Sequence, residues 1–599
     1  MADQAYAAQT TREVTVLAED PSVLLDGTKP LLTKVRIPAE PLLHGPRGSR
    51  IEVIDYDSTT GHFYEPYNLP PDADPYADSA DIEALVAHPH FHAHQSFCVA
   101  SATLFEFENA LGRNLSWGFA GHQLKVVPHA FKDANAFYSR SEEALLFGYF
   151  PVKHGAGKRT VFTCLSHDIV AHETTHAILD GLRDQLASPS SPDQAAFHEG
   201  FADIIALLSN LRSESLIQAM LKLCLEPQGG DARNGQKRWQ RQSLETVKIL
   251  ISGKDGKDAK GAIFKNLRGV AKEMGDVTGK LNRGGLRHSL DDMPPSVYLQ
   301  GGPQWEEPHK RGEILVAAVL QAFFDVWAAR LDGKFKQAAD QLGDEHDIDV
   351  WRVAEEGAKA AQHLMTMVIR AIDYLPPVHV KYQDFLMAMI TADWQTCPDD
   401  SMYSYRTLLR NSFKVVGIEP HHDGTKEEPG AYKPFEKALQ YSRGNSFAMH
   451  ADRDGMFRFI WENRTALGLV EGAYTRVNSV RPVWRTAPDG FIMHETVVEY
   501  YQVAKDLDKD ELSLLGISLP VELRNGIPVT ITGGGSLIFD EFGRLKFHIS
   551  NDLNSKRQAE RLKHLFDSGQ LYESNRRERP FAMNHLNCGG HRLRRQPGG

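Results

Sequence analysis

Two histidines four residues apart, His172 and His176, sit inside a helix-forming run at 166–183, and that spacing restricts the fold more than any other feature of the chain. Residues four apart on an α-helix stand one above the other, so both imidazoles can meet one cation with Glu173 beside them. A second helical run, 194–211, follows closely. Phe197, Phe201, Ile204, Ile205 and Leu208 mark its buried face, and Glu199 and Asp203, again four apart, project from the same packed helix. Two carboxylates buried without a cation are costly. A shared metal site removes that cost, because zinc in a hydrolytic centre takes three protein ligands and leaves one position for water. The expected ligands are His172, His176 and Glu199, with Asp203 as the acceptor that orients a ligand imidazole. Glu173, too short to reach the metal easily from its place on the helix, then serves as general base, taking a proton and handing it to the leaving nitrogen. The plainer alternative for Glu199 is a surface acid near a helix end, and His198, on a different face, reads as structural.

At 599 residues the chain exceeds one hydrophobic core and divides into about three or four folding units. Its 42% hydrophobic and 24% charged residues exclude a disordered or fibrous protein. A net charge of -11 supplies no basic face, so no nucleic-acid partner is expected. The most apolar stretch, 314–327, is broken by Gln321 and Asp325 and falls short of the roughly 18 to 20 apolar residues of a membrane span. No secretory pattern opens the chain. Cys98, Cys164, Cys224, Cys397 and Cys588 are odd in number, scattered and in no CxxC pair, as idle thiols in a reducing compartment would be. These observations together predict a cytoplasmic protein with no membrane association.

Residues 1–85 read as an extension wrapped on the main body, with short strands at 33–37 and 50–56. Helical spacing at 97–111, a strand at 124–131 and a helix apolar all round at 313–330 follow. The polar stretch 229–280 reads as a surface excursion. Helices are expected at 350–374 and 382–394, and 421–434 is the clearest linker. Beyond it the period turns strand-like: 475–485 and 491–503 joined by a turn at 487–490, then 529–532 and 536–540 with Gly533-Gly534-Gly535 as a turn, then 545–549. A helix at 554–566 and a mobile polar tail from Arg576 complete the chain.

From about residue 96 to 418 the motifs resemble, in order, the thermolysin family of gluzincin zinc metallopeptidases. Asp168-Ile169-Val170-Ala171-His172-Glu173-Thr174-Thr175-His176-Ala177 is similar to that family's zinc helix, and 197–208 to the helix carrying its glutamate ligand. The resemblance implies an α+β fold: a β-rich N-terminal catalytic lobe at 86–180, a mainly helical lobe at 181–420, and the zinc helix between them. An α/β appendage of unknown role follows at 435–599. Asn135-Ala136-Phe137-Tyr138 resembles the family's edge strand, which pairs with an extended peptide; Asn135 and the Ala136 carbonyl would hold substrate. Gly285-Leu286-Arg287-His288-Ser289 resembles the stretch in which an arginine clamps a substrate carbonyl, giving that role to Arg287 and an S1' wall to Leu286 and Ile169. His309 looks like the histidine that stabilises the oxyanion, with Glu306 or Glu307 on its other nitrogen and His288 as the competing candidate.

Departures accompany the likeness. The family's second oxyanion donor is a tyrosine, and 181–195 contains none. Of the acids of its double-calcium site Asp168 matches, while Asn210 falls where a glutamate would stand, so the calcium that the resemblance implies as a second cofactor would have an incomplete set of acids here. No propeptide is evident, which suggests an intracellular branch. The expected activity is a one-zinc endopeptidase acting on peptides or unfolded protein. The alternative is a non-catalytic zinc-containing scaffold; a free-amine-capturing aminopeptidase lacks its glutamate-rich motif here.

Overall fold

Strands and helices segregate along the chain, as an α+β protein requires, in the computed structural model. It describes residues 11–21, 30–71, 73–79, 81–154, 157–188, 190–224, 241–243, 293–302, 305–342, 347–441, 452–487, 490–517, 528–569 and 571. β1 (Thr11–Leu17) and β2 (Leu32–Pro38) form an antiparallel ribbon whose Val14, Val16 and Leu17 are fully buried. The ribbon lies on α1 (Pro89–Leu111), which opens with proline at its first position and stops at Gly112, φ 68°. Leu17 N–H donates to Gln95 Oε1 (2.8 Å), and the His94 ring meets the Thr15 carbonyl (2.8 Å).

β3 (Ile51–Val53), β4 (Leu124–Phe131), β5 (Ala136–Ser139), β6 (Ala144–His154) and β7 (Gly157–Phe162) make a mixed sheet in the order β3-β4-β6-β5, with β7 also paired to β6. β5 runs antiparallel to β6, Ala136 opposite Phe147. No other strand among the described residues pairs with β5, so it is an edge.

The helical region comprises α2 (His167–Leu182), α3 (Pro192–Leu211), α4 (Pro308–Leu342), α5 (Val350–Ala371), α6 (Tyr382–Thr396) and α7 (Tyr405–Val415). α4 outruns the apolar stretch that marked it at both ends. Among the described residues its segment Pro308–Gly333 is the one helix long and apolar enough to cross a membrane, and 72% of that apolar window is buried inside the protein. α3 and α4 cross backbone to backbone at two glycines. A Cβ on Gly200 would stand 2.9 Å from the Gly312 carbonyl oxygen, and one on Gly312 would stand 3.0 Å from Gly200 N. Only glycine admits that approach. Most of 229–280 lies outside the described residues; Arg241–Ser243 forms a short strand against Asp347–Asp349.

β8 (Tyr474–Thr486), β9 (Ile492–Leu507), β10 (Val529–Phe539) and β11 (Leu545–Asn551) form a four-stranded antiparallel sheet in chain order. The glycine triplet is not a turn. Gly533, Gly534 and Gly535 lie inside β10 opposite Gln502, Tyr501 and Tyr500. Side chains there would meet the Leu553 backbone at 2.5 Å, the Tyr500 carbonyl at 2.4 Å and the His548 ring at 2.8 Å. Close approach, not chain reversal, demands glycine. Side-chain alternation gives the sheet two buried faces: Leu537 and Phe539 pack with α8 (Arg453–Glu462), while Ile538 joins the main core. α9 (Arg557–Asp567) contributes Leu562 to a third small cluster.

Buried ion pairs fasten this sheet to the helices. Asp373, just after α5, accepts from Arg113 Nη1 and Nη2 (2.7 Å each) and from Arg485 of β8, which also binds Glu495 of β9. Burial alone would raise the Asp373 carboxyl, but Arg113, Arg485 and Arg183 hold it far below the usual range. Arg183, one residue past α2, meets Glu499 (3.3 Å) and Ser536 Oγ (3.1 Å). The stretch read as a linker is likewise fastened: His421 binds Asp384 (2.7 Å), and buried Glu428 takes Arg406 (2.7 Å).

Candidate metal centre

α2 is buried along almost its whole length, so its polar side chains must find partners within the protein. His172 Nδ1 lies 2.7 Å from Asp203 Oδ1, and His176 Nδ1 lies 2.7 Å from His198 Nδ1. With their outer nitrogens engaged, both rings turn Nε2 inward, 2.9 Å apart. Glu199 Oε2 stands 3.6 Å from each Nε2 and 3.3 Å from His309 Nε2. These distances are too long for good hydrogen bonds, and the buried oxygen makes none of ordinary geometry.

The donor atoms of His172, His176 and Glu199 all lie within 4.8 Å of one another. Tetrahedral zinc with ligands at about 2.0–2.1 Å sets its donors roughly 3.3 Å apart. The separations of 2.9, 3.6 and 3.6 Å bracket that value, so the donor set fits the ion. Electrostatics agree with the geometry. Burial would lower the His172 imidazole, but Asp203, Glu199 and Glu173 push it up to about 9. Burial would raise the Glu199 carboxyl, yet His309, His176 and His172 hold it well below its usual range. The pocket therefore favours positive charge at the point where the two Nε2 atoms converge, whether a proton or a metal carries it.

Glu173 is buried on the same helix, and its Oε2 accepts the backbone N–H of Tyr138 (2.9 Å). The expected base thus touches the expected substrate strand. Asn135 precedes β5, its carbonyl accepting from Gly148 N–H (2.9 Å) and its Oδ1 from Ala136 N–H (2.9 Å). Because residues alternate along an antiparallel pair, the backbone groups of Ala136 point away from β6, toward the unpaired edge. Ile169 lies buried in the first turn of α2, within the main core. Leu286 and Arg287, with the rival His288, lie outside the described residues.

His309 belongs to the first turn of α4 rather than to the loop ahead of it, because Pro308 starts the helix and Glu307 caps it. Glu307 accepts from Lys310 N–H (2.7 Å) and holds His309 Nδ1 at 2.8 Å, fixing the ring that faces Glu199. The glycine crossing supplies the rest, since Gly312 is one turn from His309 and Gly200 adjoins Glu199.

Three contributors escaped sequence reasoning. His198 orients His176, although its place beside Glu199 suggested a different face. The Gly200–Gly312 contact had one visible signal, a glycine inside each helical pattern. Glu19, just past β1, enters the neighbourhood of Asp168 and Asn210, all three buried. Burial first, then Asp168 and Asp20, pushes the Glu19 carboxyl well above its usual range. Where the expected tyrosine is missing, Arg183 and Asp184 contact the C-terminal sheet, Asp184 accepting from Tyr501 OH (3.2 Å). No protein-family model matches the chain, and no curated protein matches it.

Proposed function

We propose that the protein is a zinc-dependent metallopeptidase of the thermolysin type that hydrolyses internal peptide bonds. One observation carries this reading: His172, His176 and Glu199 converge in a buried site whose neighbouring carboxylate, Glu173, hydrogen-bonds an unpaired edge strand. The strands β3–β7 precede α2 along the chain and the helices α3–α7 follow it, an order that supports the two-lobed arrangement of that family.

Zinc held by His172, His176 and Glu199 supplies Lewis acidity toward a substrate carbonyl and lowers the pKa of water. Asp203 and His198 fix the two rings through their outer nitrogens. An extended peptide adds to the open edge of β5, where Ala136 offers its carbonyl and Asn135, whose Oδ1 accepts the Ala136 N–H, stands beside it. Glu173 takes the proton of the attacking water and returns it to the leaving amine. His309, its side chain 31% exposed at the mouth of the site, donates from Nε2 to the charge that develops on the carbonyl oxygen. Calcium beside Asp168 is a subordinate part of the proposal, supported by the buried Glu19 and Asn210.

The test is zinc content together with cleavage of a quenched peptide library. Wild type should hold one zinc per chain and cut peptides internally; Glu173→Gln should keep the metal and lose cleavage, and His176→Ala should lose both. A second reading, a zinc-containing scaffold, is favoured by the stretch 181–195, which lacks a tyrosine and packs on the C-terminal sheet. Stoichiometric zinc with no cleavage of any library member would establish it.

A further inference from the structure

Four arginines are buried among the described residues: Arg183, Arg370, Arg406 and Arg485. Three have carboxylate partners, respectively Glu499, Asp393 with Glu428, and Asp373 with Glu495. Arg370, in the last turn of α5 and 8% exposed, has no carboxylate among the described residues within ion-pair distance. Its Nε donates to the Ala110 carbonyl (2.9 Å) and its Nη2 to the Thr486 carbonyl (3.0 Å), and Nη1 makes no hydrogen bond to a described residue. The nearby acid is already committed: Asp393 accepts from His363 Nε2 at Oδ1 (2.8 Å) and from Arg406 Nη1 at Oδ2 (2.6 Å). A buried cation without a counter-charge is costly. Burial, followed by the neighbouring Arg485, pulls its guanidinium down to about 10.

Arg370 also lines a cavity of about 230 Å³ at the seam between α5, α6 and the end of β8. His363, Thr366, Met367, Thr396 and Cys397 form much of its wall. The two threonine hydroxyls donate to helix carbonyls, Gln362 O (2.9 Å) and Ala392 O (3.2 Å), and are not spare donors. We propose that this cavity binds a small monocarboxylate, gripped end-on by Nη1 and Nη2 of Arg370 with its carbon chain against Met367. A planar guanidinium offers two parallel donors at the spacing of a carboxylate. The Asp393 carboxylate in the wall repels a second negative charge, which selects against phosphate and dicarboxylates. The ligand would join the tip of the C-terminal hairpin to the helices, far in function from the metal chemistry proposed above and independent of it.

Cys397 provides the readout, being a partly exposed free thiol in the cavity wall. The full-length protein is alkylated with iodoacetamide at constant ionic strength, and modification of the Cys397 peptide is followed by mass spectrometry. Propionate at about ten times its Kd should slow that reaction about tenfold and raise the thermal midpoint, whereas neutral propionamide and inorganic phosphate should do neither. Arg370→Gln should lose both effects, and Met367→Phe, which narrows the cavity and leaves the guanidinium in place, should weaken them. Equal protection by propionate and propionamide, or protection retained in Arg370→Gln, would overturn the proposal. So would a Cys397 that reacts slowly with no acid added and is unaffected by propionate, since a carboxylate of the chain itself would then occupy the fork.

Discussion

The candidate metal centre and the arginine seam both bury charge, but they dispose of it in opposite ways. At the seam each acid is met by a cation on the chain: Asp373 by Arg113 and Arg485, Glu495 by Arg485 and Lys546, Glu499 by Arg183. At the metal centre the outer nitrogens of the imidazoles are engaged, while Nε2 of His172, Nε2 of His176 and Oε2 of Glu199 face one another. The first arrangement closes on itself and holds two parts of the fold together. The second is completed by something small and positive, and so reads as a binding site. Burial of charge alone does not distinguish structure from function; where the last pair of electrons points does.

The comparison can be broken at the seam first. Arg485→Met removes one partner from Asp373 and Glu495, leaves two buried acids short of a cation, and should destabilise the protein by about 3–5 kcal/mol. The denaturant midpoint measures this, and zinc should not restore it. The opposite behaviour is expected at the metal centre. Adding zinc to metal-free wild type at about 1,000 times Kd should raise unfolding free energy by about 4 kcal/mol. Glu199→Gln should abolish most of that gain and Glu173→Gln should preserve it, as read by thermal unfolding with and without a chelator.

A third region sharpens the contrast, because the N-terminal ribbon is held by neutral imidazoles rather than ions. Burial is the main cause that lowers His94 and His167 to about 4 each, and both rings contact ribbon carbonyls, Thr15 O and Leu17 O. Their folded values lie below the unfolded value of about 6.5. The stability they contribute is therefore complete above pH 6.5 and lost as the pH falls toward 4, at most about 3 kcal/mol per ring. Hydrogen exchange should show β1 and β2 loosening between pH 7 and 5, and unchanged protection there would contradict the assignment. The smallest expected effect is at the helix crossing. Gly312→Ala should cost about 1–3 kcal/mol by overpacking against Gly200 and Ala196. It should also move His309 relative to Glu199, lowering kcat more than it alters zinc affinity.

The convergence of His172, His176 and Glu199 was legible because a helical period converts sequence spacing directly into a shared face. The same rule placed Asp203 against His172. What failed were features decided by distant contacts. The glycine triplet of β10 reads locally as a turn, and only the nearness of Tyr500, Leu553 and His548 explains it as strand. Residues 421–434 have a linker's composition, yet Glu428 finds Arg406 and Arg410. The start of α4 was placed at its first apolar residues, although Pro308 and Glu307 carried the earlier helix-start signal. Glu19 beside Asp168 joins segments far apart in the chain, and no local pattern encodes such a meeting.

The bond between Arg183 and Ser536 has a consequence in time. The two residues are 353 positions apart, so at about 5–20 residues per second Arg183 leaves the ribosome roughly 20–70 s before its partner is made. Throughout that interval the end of α2 carries a cation whose carboxylate partner does not yet exist. Docking of the C-terminal sheet is thus the step that gives the end of α2 its partners, and a nascent chain lacking β9 and β10 holds Arg183 without Glu499 and Ser536.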